Sequence, residues 1–316
     1  MSRASAVLWA ALLMPLLLIP APVAAQAGRP MTVDDVLGRR LIGAPAISPD
    51  GRQVAYVVNQ RDLERSLSDS DIWLASVEGG SPVRVAQSDK SDDDPQWAPD
   101  GSWLAFRSSR AGRAQIYGIR PAGGEAWQVS DWPQGVGQFR ISPNGKWIAF
   151  TSSAAPTEAD KALEKIRGRP IVWDSSYTDQ WTRLWAAPIE GRKLGKVIQV
   201  SPDTLHVDAG YFEWAPDSRG LAFCANPSPF TVLTVQVFVA DAPGAATRRV
   251  TKMGGGAQPV SWTEAAGLLV RSTDSESPRP TSRCSGSPWT VVLRSPSRRG
   301  SMINRVSSGP RPIGCT

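Results

Sequence analysis

Histidine occurs once in these 316 residues, cysteine three times and tyrosine four times. The three cysteines, Cys224, Cys284 and Cys315, have no metal-site spacing and impose no disulfide framework. Cys224, inside "LAFCA", reads as a small buried hydrophobe. Long apolar runs are also missing, with one exception. Ala6–Ile19 is apolar but too short to span a bilayer comfortably; it follows Arg3 and precedes small residues at 23–27. That pattern reads as a signal peptide over 1–27, so an exported, periplasmic or secreted chain is expected, with no membrane partner after cleavage. Acidic residues and lysine are absent from 277–316, which holds seven Arg. Outside that segment 28 basic residues face 29 acidic ones. The net charge of +6 therefore belongs to a tail, which argues against a nucleic-acid-binding face spread over a fold.

What is abundant is one turn. "ISPDG" at 47–51 recurs as "WAPDG" at 97–101, "ISPNG" at 141–145 and "WAPDS" at 214–218. The fourth residues, Asp50, Asp100, Asn144 and Asp217, are spaced by 50, 44 and 73, and a weaker copy, "SWTEAAG", puts Glu264 after a further 47. Periods of this size mark propellers or solenoids. The long step contains an insertion at 154–180. Pro presets φ in such a turn, Asp or Asn hydrogen-bonds locally, and Gly accepts the positive φ that closes a hairpin. These Asp residues therefore read as structural.

Each turn is followed by an apolar run ("QVAYVV", "WLAF", "WIAF", "GLAF"), then a second ("DIWLASV", "QIYGI", "RLWAAPI", "QVFVAD"), then a closing segment ("VRVA", "WQVS", "VIQVS", "RRVT"). That grammar predicts about four short strands per unit. Such a unit cannot bury both faces alone. The aligned Trp, Tyr and Phe of the third strand favour blades packed around an axis over a β-sandwich array. The fold class is all-β: an incomplete β-propeller of four-stranded antiparallel blades, about four to five in number.

The repeat, W-S/A-P-D-G-x-x-I/L-A-F, then I-Y/W, G-G and L/V-T/S, resembles that of TolB-like proteins. It is also similar to the N-terminal β-propeller of the prolyl oligopeptidase family of serine peptidases, of acylaminoacyl- and dipeptidyl-peptidase type. "MTVDDVLGRRLIGAPAISPDG" favours the peptidases, whose chains open with a short helix; Thr32 and Asp35 form a capping-box pattern there. "GRPIVWDSSYTDQWTRLW" at 168–185 resembles an excursion in the same propellers. The resemblance spans about 31–274. It implies a substrate-gating propeller over an α/β-hydrolase domain, with peptide substrates and that domain as intramolecular partner. No G-x-S-x-G elbow occurs in the sequence, and too few residues follow the repeats for a hydrolase domain. The expectation is a truncated chain, catalytically inactive. The alternative is a non-enzymatic TolB-like periplasmic propeller that binds protein partners.

The expected organisation is a signal peptide at 1–27, a lead-in helix or segment at 28–46, a partial propeller at 47–274 and an Arg/Ser/Pro-rich tail at 275–316. The tail reads either as a disordered basic segment or as out-of-frame codons. Loss of the repeat in mid-blade favours the second reading, and no nucleic-acid partner is expected. No residue is assigned a catalytic, cofactor-binding or metal role, and no cofactor is expected. His206, in "SPDTLHVDAG", has no context of acid and nucleophile and reads as a blade-loop residue. "SDKSDDD" at 88–94 lacks the Gly and terminal Glu of an EF-hand and reads as a solvated connection between the first two blades. "TEADKALEKIRG" at 157–168 reads as an amphipathic surface helix, packed through Trp173, Tyr177 and Trp181. "GGG" at 254–256 reads as a connection between blades.

Overall fold

A computed structural model describes residues 30–62, 67–86, 88–156, 161, 181–226, 235–251, 257–262, 267–272 and 290–294. The segments read as signal peptide, as amphipathic helix (apart from Lys161) and as triple-glycine loop lie outside these residues. So do Trp173, Tyr177, Glu264, Cys284, Cys315 and the tail apart from 290–294. The chain divides into two compact units, Met1–Arg39 and Arg40–Thr316. The first contains helix α1 (Val33–Leu37), where Thr32 and Asp35 form the reciprocal capping box that the sequence indicates. The second contains the sheets.

Four sheets are built from consecutive strands, three of them with four strands and one with five. β1 (Leu41–Ile47), β2 (Gln53–Asp62), β3 (Leu67–Ser76) and β4 (Val83–Ala86) form the first blade, in that order. β5 (Asp92–Trp97), β6 (Leu104–Ser108), β7 (Gln115–Ile119) and β8 (Trp127–Gln128) form the second. In the third, β9 (Phe139–Ile141), β10 (Trp147–Ser153) and β11 (Thr182–Glu190) are followed by two short outer pieces on β11, β12 (Lys193–Leu194) and β13 (Ile198–Gln199). β14 (His206–Trp214), β15 (Leu221–Asn226), β16 (Gln236–Ala240) and β17 (Thr247–Arg249) form the fourth. A fifth sheet has β18 (Ala257–Trp262) antiparallel to β19 (Gly267–Ser272), and then β20 (Thr290–Arg294) parallel to β19. That parallel strand breaks the antiparallel order of the other four, and it lies in the segment where the repeat is lost. The insertion falls between β10 and β11, the second and third strands of the third blade.

The recurring L/I-A-F string has a packing explanation. Side chains alternate along a strand, so a strand buried on both faces must serve two neighbours. On β6, Leu104 and Phe106 face the first blade while Ala105 joins the core against the third. On β10, Ile148 and Phe150 face back while Ala149 faces forward. On β15, Leu221 and Phe223 face back, and Ala222 and Cys224 face forward. Bulk toward the preceding blade and alanine toward the next lets large side chains nest on small ones. The second and third strands reinforce this with a cross-strand aromatic pair in every complete blade: Tyr56 with Trp73, Phe106 with Tyr117, Phe150 with Trp185 and Phe223 with Phe238.

The repeated turn joins the first two strands of each complete blade. In the first, Gly51 donates its N–H to the Ser48 carbonyl at 2.9 Å, and the Asp50 carboxylate accepts from Ser48 Oγ at 2.6 Å and from the Arg52 N–H at 3.1 Å. Gly51, Gly101 and Gly145 have φ near 70°, and Ser218 holds the same left-handed conformation with φ 61°. These turns also touch one another in sequence. Added Cβ atoms at Gly101 and Gly145 would lie 3.8 Å from Pro49 Cδ and 3.5 Å from Pro99 Cδ. The Ser218 hydroxyl accepts from the Asn144 N–H at 2.9 Å.

Candidate functional site on the inner strands

The first strands of four sheets share an irregularity. Register shifts fall between Gly43 and Ala46, Asp93 and Gln96, Val207 and Phe212, and Pro259 and Ser261. A bulge bends its strand and re-aims a side chain. In β5 it places Asp94 at φ 51° and turns three consecutive aspartates toward three different arginines. Arg110 Nη2 spans both Asp92 oxygens at 3.0 and 2.9 Å, and Asp92 is fully buried. Arg107 donates through Nε and Nη2 to Asp93 at 2.7 and 2.8 Å, and through Nη1 to the Gly137 carbonyl of the next blade at 3.3 Å. Arg140 Nη1 lies 3.7 Å from Asp94 Oδ2.

This corrects the sequence-based reading of 88–94. Only the stretch before Asp92 is a connection; Asp92, Asp93 and Asp94 begin the second blade and are ion-paired rather than solvated. Burial demands such pairing, because an isolated carboxylate in a low-dielectric setting is costly. The signal was present in the hairpin. Trp97 pairs with Leu104 across the known turn, so counting back along the strands brings the aspartate run to Arg107: Asp94 in a regular register, and Asp93 once the bulge has shifted the strand by one residue.

The row continues into the third and fourth blades. Gln96 Nε2 donates to the Phe139 carbonyl at 2.6 Å. The Arg140 guanidinium lies 5.8 Å from the Phe212 ring centre, and the Trp214 indole N–H donates to the Arg140 carbonyl at 3.0 Å. Trp97 makes the same bond two blades earlier, to the Ala46 carbonyl at 3.0 Å. The tryptophan of "WAPD" is thus a staple onto the preceding blade. Burial pushes the Asp94 and Glu213 carboxyls up, and the Arg140 charge opposes both shifts. The row alternates in sign and is tied by hydrogen bonds, which suits a shaped polar wall rather than proton transfer.

His206 is the first residue of β14, not a loop residue, because the fourth blade starts earlier than the turn motif reveals. Its Nδ1 accepts the Thr182 N–H at 3.1 Å, and its ring lies edge-on to Trp181 with centres 6.0 Å apart. Burial, then the Arg183 charge, holds the imidazole below its usual range. Arg183 is itself committed, donating to the Leu205 and Asp203 carbonyls at 3.0 and 2.8 Å. Among the described residues no serine hydroxyl hydrogen-bonds His206, and no group of three His, Cys, Asp or Glu is disposed to hold a metal. Trp181 is buried against His206 and Arg183.

Residues 29–181 match the TolB beta propeller domain. The chain is 37% identical over 204 residues to the uncharacterized peptidase YuxL of Bacillus subtilis, covering 62% of this chain and 31% of that protein. It is 26% identical over 214 residues to dipeptidyl-peptidase 5 of Porphyromonas endodontalis, with the same shares covered. Among solved structures, acylaminoacyl peptidase of Pyrococcus horikoshii superposes with a TM-score of 0.50 at 13% identity, over 70% of this chain and 34% of the other. The last likeness is one of fold. The chain spans about a third of the length of the curated relatives it matches. Residues 29–181 carry the TolB-type propeller repeat, and the chain resembles the propeller portion of serine peptidases of the prolyl oligopeptidase family.

Proposed function

We propose that this chain is the substrate-gating propeller portion of an exported serine peptidase of the prolyl oligopeptidase family, and that it does not hydrolyse peptides by itself. The match to two peptidases over about a third of their length carries the reading. The inner strands support it, since their charges are engaged with one another and, among the described residues, no serine hydroxyl hydrogen-bonds His206. Peptides are the substrates of the intact enzyme. The chain's contribution is steric and electrostatic: a polar wall past which a peptide approaches the catalytic domain. The N-terminal apolar segment directs export, and the mature chain starts after Ala27, at Gly28.

A serine-reactive fluorophosphonate, with dipeptide and tripeptide p-nitroanilides, tests the activity. No specific labelling and no p-nitroaniline release are expected from this chain; saturable labelling would overturn the inactive assignment. Translating the gene past codon 275 in the other two frames tests the family role. Further blades followed by G-x-S-x-G support it, and their absence from both frames removes it. Protein sequencing of the periplasmic or secreted fraction tests export. A second reading, a TolB-like propeller that binds protein partners without hydrolysis, is favoured by the domain match itself. Failure of the gene to encode a hydrolase domain would select it.

A further inference from the structure

A cleft of about 330 Å³ lies between the second and third blades, away from the inner-strand row. That volume is at the small end of the range for ligand sites, about 300–1,000 Å³. Two tryptophans and two arginines, Trp103, Trp127, Arg120 and Arg192, give it its chemistry, and no acidic side chain lines it.

The tryptophans are held in place. Trp127 lies flat on β7 because residue 118 is glycine; a Cβ there would come within 2.5 Å of the indole. Trp103 meets Trp127 with ring centres 5.9 Å apart. From the neighbouring blade, Arg192 lies over the Trp127 ring at 4.7 Å. Beneath, the Leu194 N–H donates to the Val129 carbonyl at 2.9 Å, which closes the junction of the two blades at that point. A guanidinium stacked on an indole keeps its N–H edges available for a carboxylate in its own plane. Arg120 and Arg192 are exposed and donate to no acceptor among the described residues.

We infer that this cleft is an exosite for an acidic peptide segment carrying a large apolar side chain. The apolar side chain sits against Trp103 and Ile189, and flanking carboxylates meet Arg120 and Arg192. Positive charge in a cleft whose lining carries no acidic side chain selects an anion. Tryptophan and arginine together are the side chains that dominate protein recognition sites. Single-stranded nucleic acid fits less well, since the strand and a guanidinium already occupy the Trp127 ring, leaving little of it for a base to stack on. The inference does not depend on the peptidase reading.

Fluorescence anisotropy with two rhodamine-labelled peptides tests it: Gly-Asp-Phe-Asp-Asp and its asparagine counterpart Gly-Asn-Phe-Asn-Asn. The acidic peptide is expected to bind in the micromolar range and the asparagine peptide about tenfold more weakly. R120E and R192E, both at exposed positions, should each weaken the acidic peptide about tenfold. R219E, an exposed reversal in the fourth-blade turn, should leave it unchanged. Far-UV circular dichroism verifies that each variant is folded. Equal affinity for the two peptides overturns the proposal, as does a loss with R219E as large as with R192E. Tighter binding of a ten-residue thymidine oligonucleotide than of the acidic peptide would also overturn it.

Discussion

His206 shows how one side chain can be chemically notable and still be architectural. Its Nδ1 accepts a backbone N–H of the adjoining blade, so the ring is used in its neutral form. Burial and the nearby Arg183 hold its pKa below the ordinary value of about 6.5. The unfolded chain therefore takes up a proton first as pH falls. The contribution to stability is complete above about pH 6.5 and declines as the pH drops from there toward the folded-state value. Urea midpoints at pH 8 and 5.5 measure this decline. His206→Asn, whose amide oxygen can take the place of Nδ1 as acceptor, should reduce it; an unchanged decline would remove His206 as its source. Cys224 makes a similar point with opposite chemistry, since burial among the alanines and valines of two blades raises its thiol pKa and leaves it a packing residue.

At the scale of elements, the blade is defined by what it offers its neighbour. Trp97 and Trp214 cross from the end of a first strand to a carbonyl on the previous blade's first strand. Trp214→Phe keeps the apolar body but leaves the Arg140 carbonyl without its indole donor. The expected cost is about 1–3 kcal/mol in urea unfolding, the penalty for an unsatisfied buried polar group. A change below a few tenths would mean that the bond is incidental.

These elements explain what the sequence discloses and what it conceals. Turn residues at a regular period, the L/I-A-F string and the third-strand aromatics are local, repeated features, and they locate four complete blades in the sequence. The fate of Asp92–Asp94 depends on pairing across a hairpin and on one bulge, so composition alone points to solvent. His206 lies in a strand because its blade begins eight residues ahead of the Trp214 motif residue, a length the neighbouring blades do not share. The cleft at Trp103 and Trp127 needs Arg192, supplied from the β11–β12 turn of the next blade, and a glycine at 118 that no repeat position marks.

Within Arg40–Thr316, apolar cores, indole bonds and turn contacts all run between consecutive blades. The core of the first pair uses one face of β2 and the opposing face of β6; the other face of β2, bearing Val54 and Tyr56, is only part-buried, and Ile42 and Ile47 of β1 are exposed. Blades two, three and four have a neighbour on each side. The charge pattern is likewise local: the acidic and basic residues before the tail nearly cancel, and the inner-strand row pairs Asp92 and Asp93 with arginines of their own blade and Asp94 with Arg140 of the next.

The turn stack carries a consequence for motion. Pro49 rests on Gly101, Pro99 on Gly145, and Asn144 bonds Ser218, so each hairpin is a domino leaning on the one before. A linear array of such links can open from an end without disturbing its middle. Amide deuterium uptake should therefore be graded: slowest for β6, β10 and β15, and faster for β2, whose blade packs, among the described residues, on one neighbour. Uniform exchange across all four strands would show instead that the array opens as a single cooperative block.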